Sequence, residues 1–481
     1  MFWNLDGLGS IHDLTTNEIW NSEELKSYSQ QRAYQLKQKF GLESTSYVIA
    51  HGNSPAFFAD LFAVWAVGGC AVCVNPSLTA TELDNVVKFV EAKAILAKPE
   101  QTISSEVPVL VCDDRQAKNE HKDLVFNPSS NLDSPALILF TSGTTGDPKG
   151  VVHTHRSLQA RIALNQAHLG INTLSRTLCV LPSHFGHGLI GNCLTPLLAG
   201  ARLFLNHGAG IQGAAALGKI IDEHKITFMS SVPSFWKIAL RLSPAPTQHS
   251  LARVNIGSAP LSKELWNDVI TWSGTKNVAN MYGITETANW IGGALASEVE
   301  PEDGLLGKTW GGTVAIKTNE GQIKSEGSGE ILIQVPTLMA GYFQRPDLTS
   351  EVLSGGWYHT GDIGHLNSEG VLRMTGRNKY AINLGGIKIY PEELDLLLER
   401  HPQIEEACAF AIADNISGEV VAAAIKLTQN ACSDSLDLKN WLKTRIRNEA
   451  QPQKVFYLDE IPKTDRGKLN RDNVAAFCAS L

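Results

Sequence analysis

Short apolar runs alternate with helix-like stretches up to about residue 260, and this alternation constrains the possible fold more than any other feature. The runs have the length of buried strands and cover 137–140, 177–181, 202–205, 227–231 and 254–256. Residues 16–41 and 54–67 are predicted helices, the first opened by Thr16 as its cap. Helices between buried strands are typical of parallel sheets layered with helices, so the sequence predicts an α/β fold.

The pattern changes in the last third of the chain. Short strands at 330–335, 357–359, 364–367 and 371–375, separated by glycine-rich turns, predict a small β-barrel-like subdomain over about 305–377. A helix opened by Pro391, with strands at 406–413 and 420–427, then predicts a small α+β domain. Since 481 residues exceed what one core usually holds, we expect an N-terminal domain over 1–377 and a C-terminal domain over 378–481.

Composition excludes several functional classes. The net charge is −8, and no basic run is interleaved with aromatic residues, which argues against a nucleic-acid partner. The N-terminus lacks the features of a secretion signal and no apolar run reaches membrane-spanning length, so we predict a cytoplasmic protein without a membrane span. Cys70 and Cys73 have CxxC spacing, but they stand in an apolar stretch without a second pair and are predicted to be buried thiols in a strand.

A loop rich in hydroxyl groups and glycine follows the run at 137–140. Its backbone and side-chain donors can surround phosphate oxygens, and its glycines permit close approach. The loop differs from a Walker A motif because Asp147 and Pro148 separate Gly146 from Lys149. The predicted phosphate-binding residues are Thr141, Ser142, Gly143, Thr144, Thr145 and Lys149.

Four further segments follow in a recognisable order, at 257–260, 280–286, 358–362 and 462–468. Together with the loop they resemble the adenylate-forming superfamily, which contains acyl-CoA synthetases, the adenylation domains of peptide synthetases and beetle luciferases. The resemblance covers essentially the whole chain.

The resemblance implies a role for each segment. It places the ring of Tyr282 against adenine, the Thr285 hydroxyl near the α-phosphate and the Glu286 carboxylate on Mg²⁺, as the metal site. Asp362 and Arg377 would contact the ribose, and Lys468 would be the catalytic lysine. The remaining implied nucleotide-binding residues are Gly257, Ser258, Ala259, Asn280, Met281 and Gly283. A bound divalent ion would offset the repulsion between a carboxylate and the phosphate that it attacks.

The resemblance also implies a hinge and an acid pocket. Lys379 falls at the family's hinge, about which the small domain turns, and Gly385 and Gly386 would line a tunnel for a thiol arm. The predicted acid pocket comprises His184, Phe185, His187, Gly188, Ser231 and Val232. No Asp stands at 182–188 to pair a substrate ammonium, which argues against free α-amino acids because burying an unpaired ammonium costs several kcal/mol.

These features predict an AMP-forming ligase that uses ATP and Mg²⁺ to activate an acyl or aryl acid, releases pyrophosphate and transfers the acyl group to coenzyme A. The phosphopantetheine of an acyl carrier protein is an alternative acceptor. The basic group Lys443, Arg445 and Arg447 could meet either partner, or form a solvated helix face.

Two other functional classes are disfavoured. Light emission is disfavoured by Asn383, where luciferases carry Lys, and a non-catalytic nucleotide binder is disfavoured because it would not need Lys468.

Overall fold

The computed structural model describes residues 3, 5–42, 45–103, 105–111, 131–141, 149–206, 210–384, 387–414, 418–429, 431–433, 436–464 and 468–481. These residues form three sheets, and strands and helices are numbered below in chain order. No helix among them is long and apolar enough to cross a membrane.

The first sheet has seven described strands and carries the predicted phosphate loop. Its strands are β3 (Ser46–Ile49), β4 (Cys70–Cys73), β5 (Ala94–Ala97), β6 (Val109–Val111), β7 (Pro135–Thr141), β8 (Lys149–Thr154) and β19 (Gly341–Tyr342). The order is β19-β8-β7-β4-β3-β5-β6, and the strands from β7 to β6 are parallel. The predicted phosphate segment therefore follows directly after the carboxyl end of β7, which pairs in parallel with β4.

The second sheet has fifteen described strands. The N-terminal and parallel strands are β1 (Ser10–Asp13), β2 (Ile19–Trp20), β9 (Arg176–Cys179), β10 (Arg202–Leu205), β11 (Phe228–Ser231), β12 (Arg253–Gly257) and β13 (Val278–Gly283). The antiparallel continuation comprises β14 (Trp290–Leu295), β15 (Leu305–Thr309), β16 (Thr313–Lys317), β17 (Ile323–Lys324), β18 (Gly327–Gln334), β20 (Leu353–Ser354), β21 (Trp357–Leu366) and β22 (Leu372–Arg377). The path runs β17-β16-β18-β21-β22-β15-β14-β13-β12-β11-β9-β10-β1-β2, with β20 on β21.

The third sheet begins after β22, the last strand of the second sheet. Its described strands are β23 (Ile382–Leu384), β24 (Ile387–Ile389), β25 (Ile404–Asp414), β26 (Gly418–Leu427) and β27 (Lys454–Tyr457).

Helices cover the sheets, and most begin at a side-chain or proline cap. They are α1 (Ser22–Phe40), α2 (Pro55–Ala66), α3 (Ala80–Phe89), α4 (His155–Leu169), α5 (Ile171–Leu174), α6 (Thr195–Leu197), α7 (Gly210–Ala215), α8 (Leu217–His224), α9 (Pro233–Leu242), α10 (Lys263–Ser273), α11 (Pro346–Val352), α12 (Pro391–Glu399), α13 (Leu438–Lys443) and α14 (Arg471–Ala479). A π-type turn at His187–Leu194 and 3₁₀ turns at Thr285–Thr287, Asn378–Tyr380 and Asn448–Ala450 complete the regular structure of the described residues.

The predicted α/β fold is confirmed, although one predicted helix start is wrong. Helix α1 begins at Ser22 rather than at Thr16, because the short strand β2 pairs with β1 and occupies the intervening residues. The helix opens on Asn21 and Glu24, whose side chains and backbone N–H groups bond reciprocally and satisfy two otherwise unpaired donors. Helix α2 matches its prediction, with Ser54 as cap and proline at its first position.

Two other predictions concern strands. The two strands predicted at 357–359 and 364–367 form one strand, β21, whose register shifts between Ile363 and Gly364. Such a bulge lets a strand continue through residues that break the alternation of side chains. Cys70 and Cys73 are confirmed as buried thiols in β4, and burial raises the pKa of both.

The parallel part of the second sheet explains where the predicted site residues meet. Strands β9, β11, β12 and β13 are neighbours, so their carboxyl ends lie at one edge of the sheet. The predicted acid-pocket segment follows β9, Ser231 ends β11, and Gly257 and Gly283 end β12 and β13. Clefts at the carboxyl ends of parallel strands are the usual ligand sites of such sheets.

Candidate active site

Three residues from distant strands meet in a buried polar chain. The Tyr282 hydroxyl donates to Asp362 Oδ2 at 2.7 Å, and Arg377 Nε lies 2.9 Å from Asp362 Oδ1. Asp362 is completely buried, and the residues come from β13, β21 and β22. Burial, followed by the charge of Asp362, raises the pKa of Tyr282, so the phenol stays protonated and acts as a donor. The predicted adenine- and ribose-binding residues are thus in mutual contact.

A second polar chain crosses the predicted acid pocket. His187 Nδ1 lies 2.8 Å from Ser258 Oγ, and His187 Nε2 lies 2.6 Å from Ser230 Oγ. Ser258 has a φ of 71°, a left-handed conformation that a non-glycine residue rarely adopts and that is often found at functional sites. The π-type turn that begins at His187 is another irregularity of this kind.

The charge of the C-terminal lysine acts on this pocket. The pKa of His187 is lowered to about 3, first by burial and second by the positive charge of Lys468. Lys468 is held in a hairpin, in which Thr464 N donates to Lys468 O at 2.8 Å and Lys463 pairs with Leu469. The cation predicted to be catalytic is therefore electrostatically coupled to a neutral imidazole in the acid pocket, 281 residues earlier in the chain.

The Thr285–Thr287 turn is held in place by three residues outside the predicted site. His153 Nε2 lies 2.9 Å from the carbonyl oxygen of Thr285, and the buried imidazole is kept neutral because burial lowers its pKa to about 4. Met339 N donates to Glu286 O at 2.7 Å, and the Tyr342 hydroxyl donates to Glu286 Oε1 at 2.8 Å. Glu286 Oε2 accepts no hydrogen bond from any described residue.

Lys149 brings the end of the phosphate loop to the same place. It begins β8, and its Nζ lies 5.5 Å from the centre of the Tyr342 ring. A lysine, a tyrosine and a half-exposed carboxylate therefore stand together where Glu286 was predicted to hold Mg²⁺.

Two predicted glycines are required by close backbone packing. A Cβ atom on Gly283 would lie 2.3 Å from the carbonyl oxygen of Asn289, and one on Gly257 would lie 3.0 Å from that of Met281. A side chain at Gly283 would displace backbone, and one at Gly257 would make an unusually tight contact. Gly257 thus allows β12 to approach β13 closely, and Gly283 allows β13 to approach the start of β14.

The remaining predicted residues divide into three groups. Asn280 and Met281 are buried in β13, and the Asn280 amide donates to Leu305 O at 2.8 Å, so its side chain serves the sheet. Ser231 is buried, and its hydroxyl has no partner among the described residues. The other residues predicted for the acid pocket and the adenine wall are Ala259, His184, Phe185, Gly188 and Val232, with the His184 and Phe185 ring centres 4.0 Å apart.

Some predicted residues lie outside the described part of the chain. They are Ser142, Gly143, Thr144 and Thr145 of the phosphate loop, and Gly385 and Gly386 of the predicted tunnel; for Thr141 only the backbone is described, as the end of β7. The predicted hinge residue Lys379 is described, and its Nζ lies 3.3 Å from Asp472 Oδ2 in α14.

Comparison with known proteins identifies the family. A sequence model described as AMP-binding enzyme matches residues 11–343, and one described as AMP-binding enzyme C-terminal domain matches residues 393–468. The chain belongs to the AMP-binding enzymes.

Relatives and solved structures agree with this family. The chain is 29% identical to oxalate–CoA ligase of Arabidopsis thaliana, over 88% of this chain and 86% of the relative. It is 26% identical to 4-coumarate–CoA ligase 2 of Solanum tuberosum, over 100% and 93%. The fold resembles that of o-succinylbenzoate CoA synthetase from Bacillus subtilis bound to its acyl-adenylate, with a TM-score of 0.83 at 23% identity, covering 97% and 94%. The predictions of an adenylate-forming enzyme and of an AMP-forming acid–thiol ligase are confirmed.

Proposed function

We propose that this AMP-binding enzyme joins a carboxylic acid to AMP through Lys468 and then transfers the acyl group to the thiol of coenzyme A. The observation that carries the proposal is the electrostatic coupling between Lys468 and His187 in the acid pocket. An ammonium at this place faces the charge that develops when a carboxylate attacks a phosphate. Such preorganised charge is worth several kcal/mol in a site that excludes water.

The proposed reaction has two steps. A substrate carboxylate oxygen forms a bond to the α-phosphorus of ATP, and the bond from that phosphorus to the bridging oxygen breaks, which releases pyrophosphate. A thiolate sulfur then forms a bond to the acyl carbon, and the bond from that carbon to the AMP oxygen breaks. Tyr282, Asp362 and Arg377 would hold the nucleoside in both steps, while Lys149 and the loop before it would hold the phosphates.

Mg²⁺ fits the donor set around Glu286. The described residues contain no cluster of three His, Cys, Asp or Glu side chains, so an all-protein metal cage is absent from the described part of the chain. Mg²⁺ commonly keeps several waters and uses one or two carboxylates together with substrate phosphates. Glu286 Oε2 would supply that carboxylate, while Tyr342 orients the side chain through Oε1. When bound, the ion would neutralise phosphate charge.

The acid pocket favours a substrate with an uncharged polar substituent. A pKa of about 3 leaves His187 without charge at neutral pH, so the imidazole can donate one hydrogen bond and accept another among Ser230 and Ser258. A hydroxyl-bearing aryl or acyl acid can exchange hydrogen bonds with such groups. A second carboxylate or an α-ammonium group finds no opposite charge in them.

An acid panel tests the proposal. Purified protein with ATP and Mg²⁺ should exchange pyrophosphate into ATP with hydroxyaryl acids, less with unsubstituted aryl and fatty acids, and least with dicarboxylic and α-amino acids. The Lys468→Ala variant should lose at least about a hundredfold in exchange rate while it keeps ATP affinity. Absence of exchange with every acid would refute adenylation, and full activity of the variant would remove Lys468 from the reaction.

The acceptor is tested separately. Incubation of the enzyme, ATP and an accepted acid with coenzyme A, or in parallel with a holo acyl carrier protein, should give a thioester that mass spectrometry detects on coenzyme A. A thioester formed only on the carrier would replace coenzyme A as the acceptor. We further propose that the chain divides at 377/378, so that residues 378–481 carry Lys468 as a unit that turns about Lys379.

A further inference from the structure

Helix α9 is joined to the C-terminal part of the chain by two parallel ion pairs. Lys237 Nζ lies 2.8 Å from Glu399 Oε2, and Arg241 Nη1 lies 2.8 Å from Glu405 Oε1. Lys237 and Arg241 are four residues apart and therefore share one face of α9. Glu399 ends α12 and Glu405 lies in β25, so the two acidic residues come from a helix and from the strand that follows it in the chain.

A third contact runs in the opposite sense. Arg400, the residue after Glu399, is paired with Asp303 and also lies 3.6 Å from Glu264 Oε1 at the start of α10. Positive charges on α9 thus face negative charges of the C-terminal part, while negative charges beside α10 face a positive one. We call these contacts, formed by Lys237, Arg241, Asp303, Glu399, Arg400 and Glu405, the charge latch. The two ends of the charge latch have opposite polarity. This arrangement favours one position of the C-terminal part relative to α9 and α10, because a shift would bring like charges together.

The pair of Lys237 and Glu399 is partly shielded from water. The side chains are 29% and 20% exposed. Burial raises the pKa of Glu399, and the charge of Lys237 opposes that effect. The charged form of Glu399 is therefore stabilised mainly by Lys237. Loss of this lysine would leave a partly buried carboxylate without its main partner. The pair with Arg241 is more exposed and contributes mainly to alignment.

Both sides of the charge latch lead directly to the reacting groups. Helix α9 follows Ser231 and Val232 of the acid pocket without a break. On the other side, Glu406 stands next to Glu405 in β25 and is paired with Lys463. Lys463 pairs in turn with Leu469 across the hairpin that presents Lys468. The acid pocket and the lysine hairpin are thus connected through α9, the charge latch and β25.

We propose that Lys237 and Arg241 are positioning residues that place Lys468 at the acid pocket for adenylate formation. The inference rests on the proposed function, in which Lys468 acts in the first half-reaction. If the C-terminal part turns about Lys379 before thiol transfer, the charge latch opens at that point. Transfer from a finished acyl-adenylate then does not depend on it.

The test measures the two half-reactions separately. Lys237→Glu should lower kcat for acid-dependent pyrophosphate exchange by at least about tenfold, which is the effect of about 1.4 kcal/mol on a barrier, with KM for the acid changed by less than about twofold. Thioester formation from supplied acyl-adenylate and coenzyme A should stay within about twofold of the unmodified enzyme. The double variant Lys237→Glu with Glu399→Lys reverses the pair and should recover most of the exchange rate.

Matched controls decide between positioning and a general structural effect. Lys219→Glu makes the same charge change on an exposed residue of α8 and should leave both half-reactions unchanged. If charge reversal at 237 unfolds the protein, Lys237→Gln removes the charge alone and should show the same split. An unchanged exchange rate in the folded Lys237 variants, equal loss in both half-reactions, or failure of the double variant to recover would overturn the inference. Absence of exchange in the unmodified enzyme would instead overturn the proposed function.

Discussion

Protonation of His155 is expected to destabilise the fold as pH falls below about 6.5. His155 is 2% exposed, and burial lowers its pKa to about 4. Its Nδ1 accepts a hydrogen bond from Trp3 Nε1 at 2.9 Å, so a proton at that atom would remove the acceptor. The unfolded chain binds the proton at its ordinary pKa, whereas the folded chain does not, and stability is therefore lost between pH 6.5 and about 4.

The magnitude follows from the difference between the two pKa values. In the unfolded chain the imidazole has a pKa of about 6.5, so pH 5 lies about 1.5 pH units below that pKa and favours its protonated form. Each pH unit is worth about 1.36 kcal/mol. His155 should thus cost about 2 kcal/mol at pH 5 relative to pH 7. This cost is a large share of the free energy of unfolding, which is typically about 5–15 kcal/mol.

The assay compares two proteins, because other buried groups titrate in the same range. The free energy of unfolding in urea is measured from tryptophan fluorescence between pH 7.5 and 4.5 for the unmodified protein and for His155→Gln. The stability advantage of the unmodified protein should shrink by about 2 kcal/mol from pH 7 to pH 5. A constant difference for His155→Gln would refute the assignment of a neutral buried imidazole.

Three further predictions concern nucleotide, metal and backbone. Glu286→Gln should lower the pyrophosphate exchange rate by about a hundredfold and raise the Mg²⁺ concentration needed for half-maximal rate, because the amide keeps the Tyr342 contact without the charge. Asp362→Asn should weaken ATP binding in calorimetry by about tenfold to a hundredfold, as expected for loss of charged hydrogen bonds. Gly283→Ala should lower the unfolding free energy by about 1–3 kcal/mol, because its Cβ would meet the Asn289 carbonyl oxygen at 2.3 Å.

Each of these has a result that would contradict it. An unchanged Mg²⁺ requirement in Glu286→Gln would remove the carboxylate from the metal site, and unchanged ATP affinity in Asp362→Asn would remove it from nucleotide binding. For the glycine, Gly7→Ala is the matched control, since a Cβ atom there has no neighbour within 4 Å. Equal stability of the two alanine variants would mean that the backbone around Gly283 can move apart.

The local sequence was sufficient to predict a helix or strand where only one start signal is present. Helix α12 begins at Pro391 as expected, because proline in the first turn of a helix fixes its start. The predicted helix start at Thr16 is wrong for two reasons. Asn21 forms a complete capping box, and residues between Thr16 and Asn21 form strand β2, which pairs with β1. Only the tertiary pairing of β2 with β1 decides between these signals.

Contacts between distant segments were beyond prediction. Ser230, rather than Ser231, contacts His187, because successive side chains of β11 point to opposite faces and the sequence does not reveal which face meets the pocket. Tyr342 touches Glu286 across 56 residues, and no local pattern marks a tyrosine as the partner of a carboxylate. The order of the motifs correctly predicted that residues such as Tyr282 and Asp362 lie together. It did not predict the hydrogen bonds that join them.

The chain from Tyr282 through Asp362 to Arg377 has a consequence for synthesis of the protein. Its three members span 96 residues, and the predicted phosphate-binding segment precedes them all. Under the proposed function, the nascent chain carries its phosphate-binding residues long before those that would contact the ribose. Tight nucleotide binding would then require that the antiparallel strands have joined the parallel ones, so nucleotide would stabilise the assembled enzyme and not its partly folded precursors.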